Sequence, residues 1–264
     1  MLSAFGLLAS DERKLSSLCP KIWIELKIRV MDTIISPEIL TISELEKIPF
    51  LTHGFGNRYL KKEYLIKSRQ WPAFQLVFLE QIHSNIAHSI REVPDHELRG
   101  DALITNQPLL LLVIQSADCL PILMVEEKKK VIAAIHCGWK GTQKCLVSAV
   151  IKLLKRDYGA RPSSIKVALG PHIRGSCYEV GQDVRHKFLE AGFSPSFFEP
   201  LAGLDNKYLF DLAKVNSRQL IEAGVKSEHI FTVDICSHCH PLFPSYRRDK
   251  EKAGRMLSFI GLKF

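Results

Sequence analysis

The sequence predicts an α/β fold, a single domain of mixed β-sheets flanked by helices, and three observations carry that expectation. Short β-branched runs alternate with segments of helical period. Two of the runs are close enough in sequence to form an antiparallel hairpin, which makes the sheet mixed rather than all parallel. No repeat, linker or low-complexity tract divides the 264 residues. The proportions agree, since 46% hydrophobic and 24% charged residues are those of an ordinary globular chain.

Residues 1–30 carry little pattern and read as a peripheral N-terminal extension, with Met31 opening the domain 31–264 and offering an alternative translation start. The apolar stretch from Met1 to Ala9 lacks a basic leader and is cut off by Asp11-Glu12-Arg13-Lys14, so no secretory signal is expected. No run approaches the roughly 20 apolar residues of a membrane-spanning helix, and the expected setting is the cytoplasm. Strands are predicted at 48–55, 76–82, 109–114, 120–125, 131–135, 165–169, 230–235 and 257–262. Three helices are predicted. The first is capped by Thr142 and runs to about Asp157, with Leu146, Val147, Val150, Leu153 and Leu154 on one face. Val184 and Phe188 mark the second. The third starts at Asp211, shows Leu212, Val215, Leu220 and Ala223 as its apolar stripe, and stops at Gly224.

Seven cysteines, an odd number, fit reduced thiols better than a disulfide framework, and Cys19, Cys145 and Cys177 read as plain buried thiols. The net charge of +8 favours phosphate-bearing small molecules. The basic residues are dispersed, without a recognition helix or a basic-aromatic repeat, so neither nucleic acid nor membrane is an expected partner.

The hairpin gives the sharpest geometric expectation. With Glu126–Lys130 as the turn, Val125 lies opposite Val131 and Leu120 opposite His136, which leaves Cys119 one step from His136. Opposed strand residues have Cβ atoms about 4.5 to 5.5 Å apart and diagonal ones are only somewhat farther, within reach of one shared zinc. His83, at the end of the 76–82 strand, is the candidate third ligand. Two histidines and a thiolate leave a fourth position open, as a catalytic zinc requires. Plainer readings stand beside this one: a buried thiol with two ordinary histidines, or a Cys119–His136 nucleophile pair without a metal. Cys236-Ser237-His238-Cys239-His240 looks like half of a second zinc site, with nothing in the sequence that obviously completes it.

Ordered motifs then point to a family. Gln81-Ile82-His83, Gly100 to Thr105, Ser116-Ala117-Asp118-Cys119-Leu120-Pro121, Ala133 to Gly141, Gly170-Pro171-His172-Ile173 with Cys177 to Gly181, and Ser245-Tyr246-Arg247-Arg248-Asp249 occur in the order seen in YfiH-type proteins, the purine nucleoside phosphorylase family once called the laccase-domain family. The chain resembles that family from about residue 48 to its end. The resemblance implies a YfiH-like α/β fold, related in shape to cytotoxic-necrotizing-factor-type cysteine hydrolases, and places the family's metal ligands on His83, Cys119 and His136. It also implies phosphorolysis of adenosine, inosine and methylthioadenosine, with adenosine deamination as a companion activity. The family's Trp-Arg-Gly is Trp139-Lys140-Gly141 here, Cys137 stands where Ala is common, and only residues 59–82 separate Arg58 from His83, a shorter segment than is typical.

Such chemistry needs Zn2+, or copper in an oxidase reading, together with an anion site. Lys140, ahead of the helix expected from Thr142, is one candidate phosphate contact, with Asn57, Arg58 and Arg247 as further substrate-binding candidates. Asp118, Asp101 and Glu179 are candidate proton-transfer groups, and Trp139 and Tyr178 can either stack a purine or fill the core. The competing functions are a copper-dependent polyphenol oxidase, a metal-free Cys–His hydrolase and a non-catalytic zinc-binding interaction protein.

Overall fold

In the computed structural model, which describes residues 39–67 and 74–264, the apolar runs become two stacked sheets. The N-terminal extension and Met31 lie outside the described residues. One sheet has five strands, in the order Ile39–Leu40, Leu51–Gly56, Met256–Leu262, Leu110–Ser116 and Gln75–Val77. The other has six: Ile230–Thr232, Ile165–Leu169, Leu120–Glu126, Val131–Cys137, Ala102–Thr105 and Ala87–Ser89. Each contains parallel and antiparallel pairs, so both are mixed.

Strand alternation explains the stacking. Ile122, Met124, Ala133 and Ile135 face the helices Leu146–Tyr158 and Leu212–Glu222, whereas Leu123, Val125, Ile132 and Ala134 face Leu112, Ile114, Phe55 and Ile260 of the five-stranded sheet. Both faces of the inner strands are buried, which is why these segments read as continuous apolar runs. The outer face of the five-stranded sheet is covered by Leu60 and Leu65, packed on Leu111, Val113 and Phe259.

Four expectations need correction. The hairpin pairs Glu126 with Val131 and Pro121 with His136, one residue away from the predicted register, because the turn uses only 127–130, with Lys130 at φ 47°. The 76–82 run is split at Phe78: Gln75–Val77 joins the five-stranded sheet while Leu79–Glu80 pairs with Leu98–Arg99. The helix predicted from Thr142 is two helices, Trp139–Gln143 and Leu146–Tyr158, separated at Cys145, which has φ 56° and is exposed rather than buried. Thr142 caps neither; it is fully buried, and its hydroxyl accepts from Asn216 Nδ2 at 2.9 Å. The run at 230–235 forms a strand only over Ile230–Thr232. The helix from Asp211 forms as predicted, the Asp211 carboxylate accepting from the Lys214 amide at 2.9 Å and Gly224 following it at φ 96°.

Candidate metal centre

The observed register matters more than the predicted one. Residues paired across two strands share a face, so a slip of one residue moves a side chain to the other side of the sheet. With Leu120 opposite His136, Cys119 and His136 would face opposite ways. In the observed pairing, continued one step, Cys119 lies opposite Gly138, on the same face as His136, and both point into the open end of the space between the sheets. A Cβ added at Gly138 would stand 2.9 Å from Cys119 Sγ and 3.0 Å from His83 Cδ2. The missing side chain is what leaves room for the centre. Cys137, on the alternate face, is buried among the helix-packing residues. Its thiol is pushed well up, first by burial and then by the charges of Cys119 and Asp101.

His83 follows the Leu79–Glu80 strand in a left-handed conformation, φ 56°, a strained state that persists only where its surroundings enforce it. Asp101 is the enforcing group. It is fully buried just before the Ala102–Thr105 strand, and it accepts from the amides of His83 (3.1 Å) and Ser84 (2.5 Å), from Ser84 Oγ (2.7 Å) and from His136 Nδ1 (2.9 Å). Burial raises the Asp101 carboxyl, but the bonds from His136 and Ser84 outweigh it and hold the group below the ordinary carboxylate range. An ionised carboxylate only accepts, so a proton sits on His136 Nδ1, and Nε2 is the nitrogen left to face a metal once the ring is neutral.

Cys119 Sγ lies 3.9 Å from His83 Nε2, and the ligand atoms of His83, Cys119 and His136 all fall within 4.8 Å of one another. The two imidazoles meet edge to face, with centroids 5.0 Å apart. Burial pushes the Cys119 thiol up, yet His136 and His83 overcome this and bring it down to about 6. His136 is lowered by burial but raised more by Cys119 and Asp101, to about 9. Without a cation, thiolate and imidazolium neutralise each other; a cation that displaced the His136 Nε2 proton would be bound by the same atoms.

The centre opens into a cleft of about 750 Å3 lined also by Lys140, Arg247, Lys250, Arg255, Tyr178 and Trp139, a volume in the range of small-molecule sites. Four cations therefore converge where sequence reasoning named two. Lys250 and Arg255 were missed because nothing local marks them; they reach the cleft through the turn following Tyr246–Asp249. Gln81 and Gln115 were missed as a pair: Gln81 Nε2 donates to the Gln115 carbonyl and the Gln115 amide donates to Gln81 Oε1, both at 2.8 Å, which fixes one wall. Another cleft, of about 830 Å3, lined by Phe193, Phe197, Arg218 and Glu222, shares no residue with the centre.

Other predicted site residues lie elsewhere. Asn57 is buried and its side-chain oxygen accepts from the Tyr59 amide, a turn role. Arg58 pairs with Asp249 at 3.3 Å, and neither Asn57 nor Arg58 lines the cleft. Lys140 sits inside the five-residue helix Trp139–Gln143, exposed at the cleft, and not ahead of a long helix. Of the proton-transfer candidates, Glu179 pairs with Lys207 at 2.8 Å, and Asp101 is sealed behind His136. Asp118, at φ 80°, borders the cleft but accepts from Ser237 Oγ (2.7 Å), Ser245 Oγ (3.1 Å) and the Arg247 amide (2.6 Å). It clasps the start of the short helix Tyr246–Asp249 that carries Arg247.

The chain is similar to known proteins over most of its length. Residues 60–263 match the family model described as multi-copper polyphenol oxidoreductase laccase. A protein of Clostridium acetobutylicum named purine nucleoside phosphorylase is 35% identical over 189 residues, covering 69% of this chain and 75% of that protein. Purine nucleoside phosphorylase YlmD of Bacillus subtilis is 31% identical over 215 residues, 76% of each chain. The crystal structure of the Bacillus licheniformis hypothetical protein YfiH superposes with a TM-score of 0.78 at 26% identity, over 88% of this chain and 98% of that one.

Proposed function

The chain belongs to the YfiH-type purine nucleoside phosphorylase family, whose family model carries the laccase description, and from that membership we propose that it is a cytoplasmic, zinc-dependent purine nucleoside phosphorylase. A phosphate oxygen attacks C1′ of adenosine, inosine or methylthioadenosine. The C1′–N bond breaks, and the base leaves with the bonding pair and gains a proton, giving free base and the sugar 1-phosphate. Adenosine deamination, in which water replaces the amino group and ammonia leaves, is the companion reaction.

One observation carries this reading: the open face of His83, Cys119 and His136 borders the same cleft as Lys140, Arg247, Lys250 and Arg255. The donor set fits zinc. Two ligands at about 2.0 to 2.3 Å on a tetrahedral ion stand about 3.5 Å apart, and the His83–Cys119 separation is 3.9 Å. When bound by these residues, such an ion would supply Lewis acidity to the cleft. The remaining roles belong to the chain. Asp101 keeps the His136 proton on Nδ1. Lys140 and Arg247 hold phosphate, Arg247 being aimed by its bond to the Glu179 carbonyl at 2.7 Å and by the Tyr178 ring 5.5 Å away. Tyr178 and Trp139 offer flat surfaces to a purine. Arg58 and Asn57 act on position only, Arg58 through Asp249.

A second reading has its own support. Cys119, His136 and Asp101 follow the order nucleophile, base, orienting carboxylate, as a metal-free hydrolase requires. His83, set against the same sulfur, favours the metal. A two-histidine, one-thiolate set also accepts copper, so the oxidase reading enters the test. Protein purified without added metal, incubated with inosine, is expected to release hypoxanthine only when phosphate is present. Oxidation of a phenol with dioxygen, without phosphorolysis, would overturn the proposal.

A further inference from the structure

A second group of ligand atoms stands apart from the first. The sulfurs of Cys177, Cys236 and Cys239 come from two segments some 60 residues apart in sequence and lie within 4.8 Å of one another, Cys177 and Cys239 at 3.2 Å. Cys177 is thus neither an isolated nor a fully buried thiol; it completes the half-site recognisable in Cys236-Ser237-His238-Cys239.

The surrounding backbone is built to hold sulfur. The Arg174 amide points at Cys236 Sγ, 3.5 Å away, and the His240 amide closes the Cys-x-x-Cys turn on the Cys236 carbonyl at 2.9 Å. Cys236 also bridges to His172, and the Arg248 guanidinium donates to the carbonyls of Ser237 (2.9 Å) and His238 (2.8 Å). Three partly buried sulfurs so placed crowd one another, and no other described group offers all three a shared partner. A divalent cation binds such a group of sulfurs as thiolates and releases their protons. A disulfide would use two of the sulfurs and leave the third without a purpose.

We propose that Cys177, Cys236 and Cys239 form a second, structural metal site for a thiophilic divalent ion of the zinc class, supplying three of the four ligands of a tetrahedral centre. Sulfurs on such an ion stand about 3.8 Å apart, between the 3.2 Å of Cys177 and Cys239 and the 4.8 Å within which all three lie. The site ties the segment that brings Tyr178 to the cleft to the Cys-x-x-Cys turn, whose Ser237 donates to the cleft residue Asp118.

The test separates the two centres by metal content rather than activity. Wild-type chain purified with zinc is expected to carry about two ions, and the double variant His83→Ala/Cys119→Ser about one. Adding Cys177→Ser and Cys239→Ser to that variant is expected to remove the remaining ion. A His83→Ala/Cys119→Ser protein that is folded and free of metal would overturn the second site and leave the first untouched. So would a Cys177–Cys239 disulfide in freshly purified wild type, read as a mass gain on reduction. Should the quadruple variant fail to fold, cobalt loading of the double variant decides: thiolate-to-cobalt absorption with three-sulfur intensity supports the site, and its absence refutes it.

Discussion

At the scale of single residues, Asp101 is the group on which the centre turns. Its four accepted bonds fix the His83 backbone and the His136 tautomer together. Asp101→Asn keeps the shape but can present an amide N–H to His136 Nδ1, so the proton moves toward Nε2. Metal affinity is expected to fall about 10- to 100-fold, the usual effect of losing such a partner, measured by competition with a chelator; an unchanged affinity would remove Asp101 from this role. His53 predicts a pH effect on stability. Burial, only partly offset by Glu46, lowers its pKa to about 4, and neutral Nε2 accepts from the Ile42 amide at 2.9 Å. The unfolded chain binds that proton below about 6.5 and the folded chain only below about 4, so stability falls as pH drops through that window, by about 3 kcal/mol at most. Denaturant midpoints from pH 7 to 4 should show the slope, and His53→Gln should flatten it. The sequence made His83, Cys119 and His136 legible through their motifs, whereas Asp101 looked like one of three equivalent acids. Its importance comes from burial, which a linear reading does not display.

At the scale of elements, the hairpin was legible and its register was not. The apolar runs located both strands to within two residues at each end, but turn length decides pairing, and five charged residues in a row do not reveal where the turn closes. The one-residue difference is what sets Cys119 and His136 on one face. Gly138 follows from the same register. Its backbone, at φ −81° and ψ 176°, suits any residue, so Gly138→Ala meets no backbone strain; its methyl group collides with Cys119 Sγ and His83. Metal binding is expected to weaken about tenfold or more while the thermal midpoint of the metal-free protein stays close to wild type. A large drop in that midpoint would mean that Gly138 serves the fold instead. The helix break at Cys145 escaped the sequence because the buried face of 146–154 continues the helical period across it.

At the scale of the whole molecule, the strand content was legible and the stacking order was not, since Leu51–Gly56 meets Met256–Leu262 across nearly the full described chain, and no local pattern announces so distant a partner. No helix among the described residues is long and apolar enough to cross a membrane. The convergence of distant segments also explains the cleft: Lys140 comes from the end of the hairpin, and Arg247 and Arg255 from the approach to the last strand. Lys140→Ala should therefore depress phosphorolysis of adenosine at least about tenfold more than its deamination, which uses no phosphate. Equal loss of both rates would assign Lys140 to the purine pocket or the fold. The most direct test of the central claim, that His83, Cys119 and His136 act by holding a metal, is phosphate-dependent cleavage of inosine before chelation, after chelation and after zinc is restored, with Cys119→Ser in parallel. Activity is expected to disappear with the ion, to return with zinc and to be absent from Cys119→Ser together with metal from this centre. Full activity in chelated wild type, lost only in Cys119→Ser, would contradict it and make Cys119 a nucleophile.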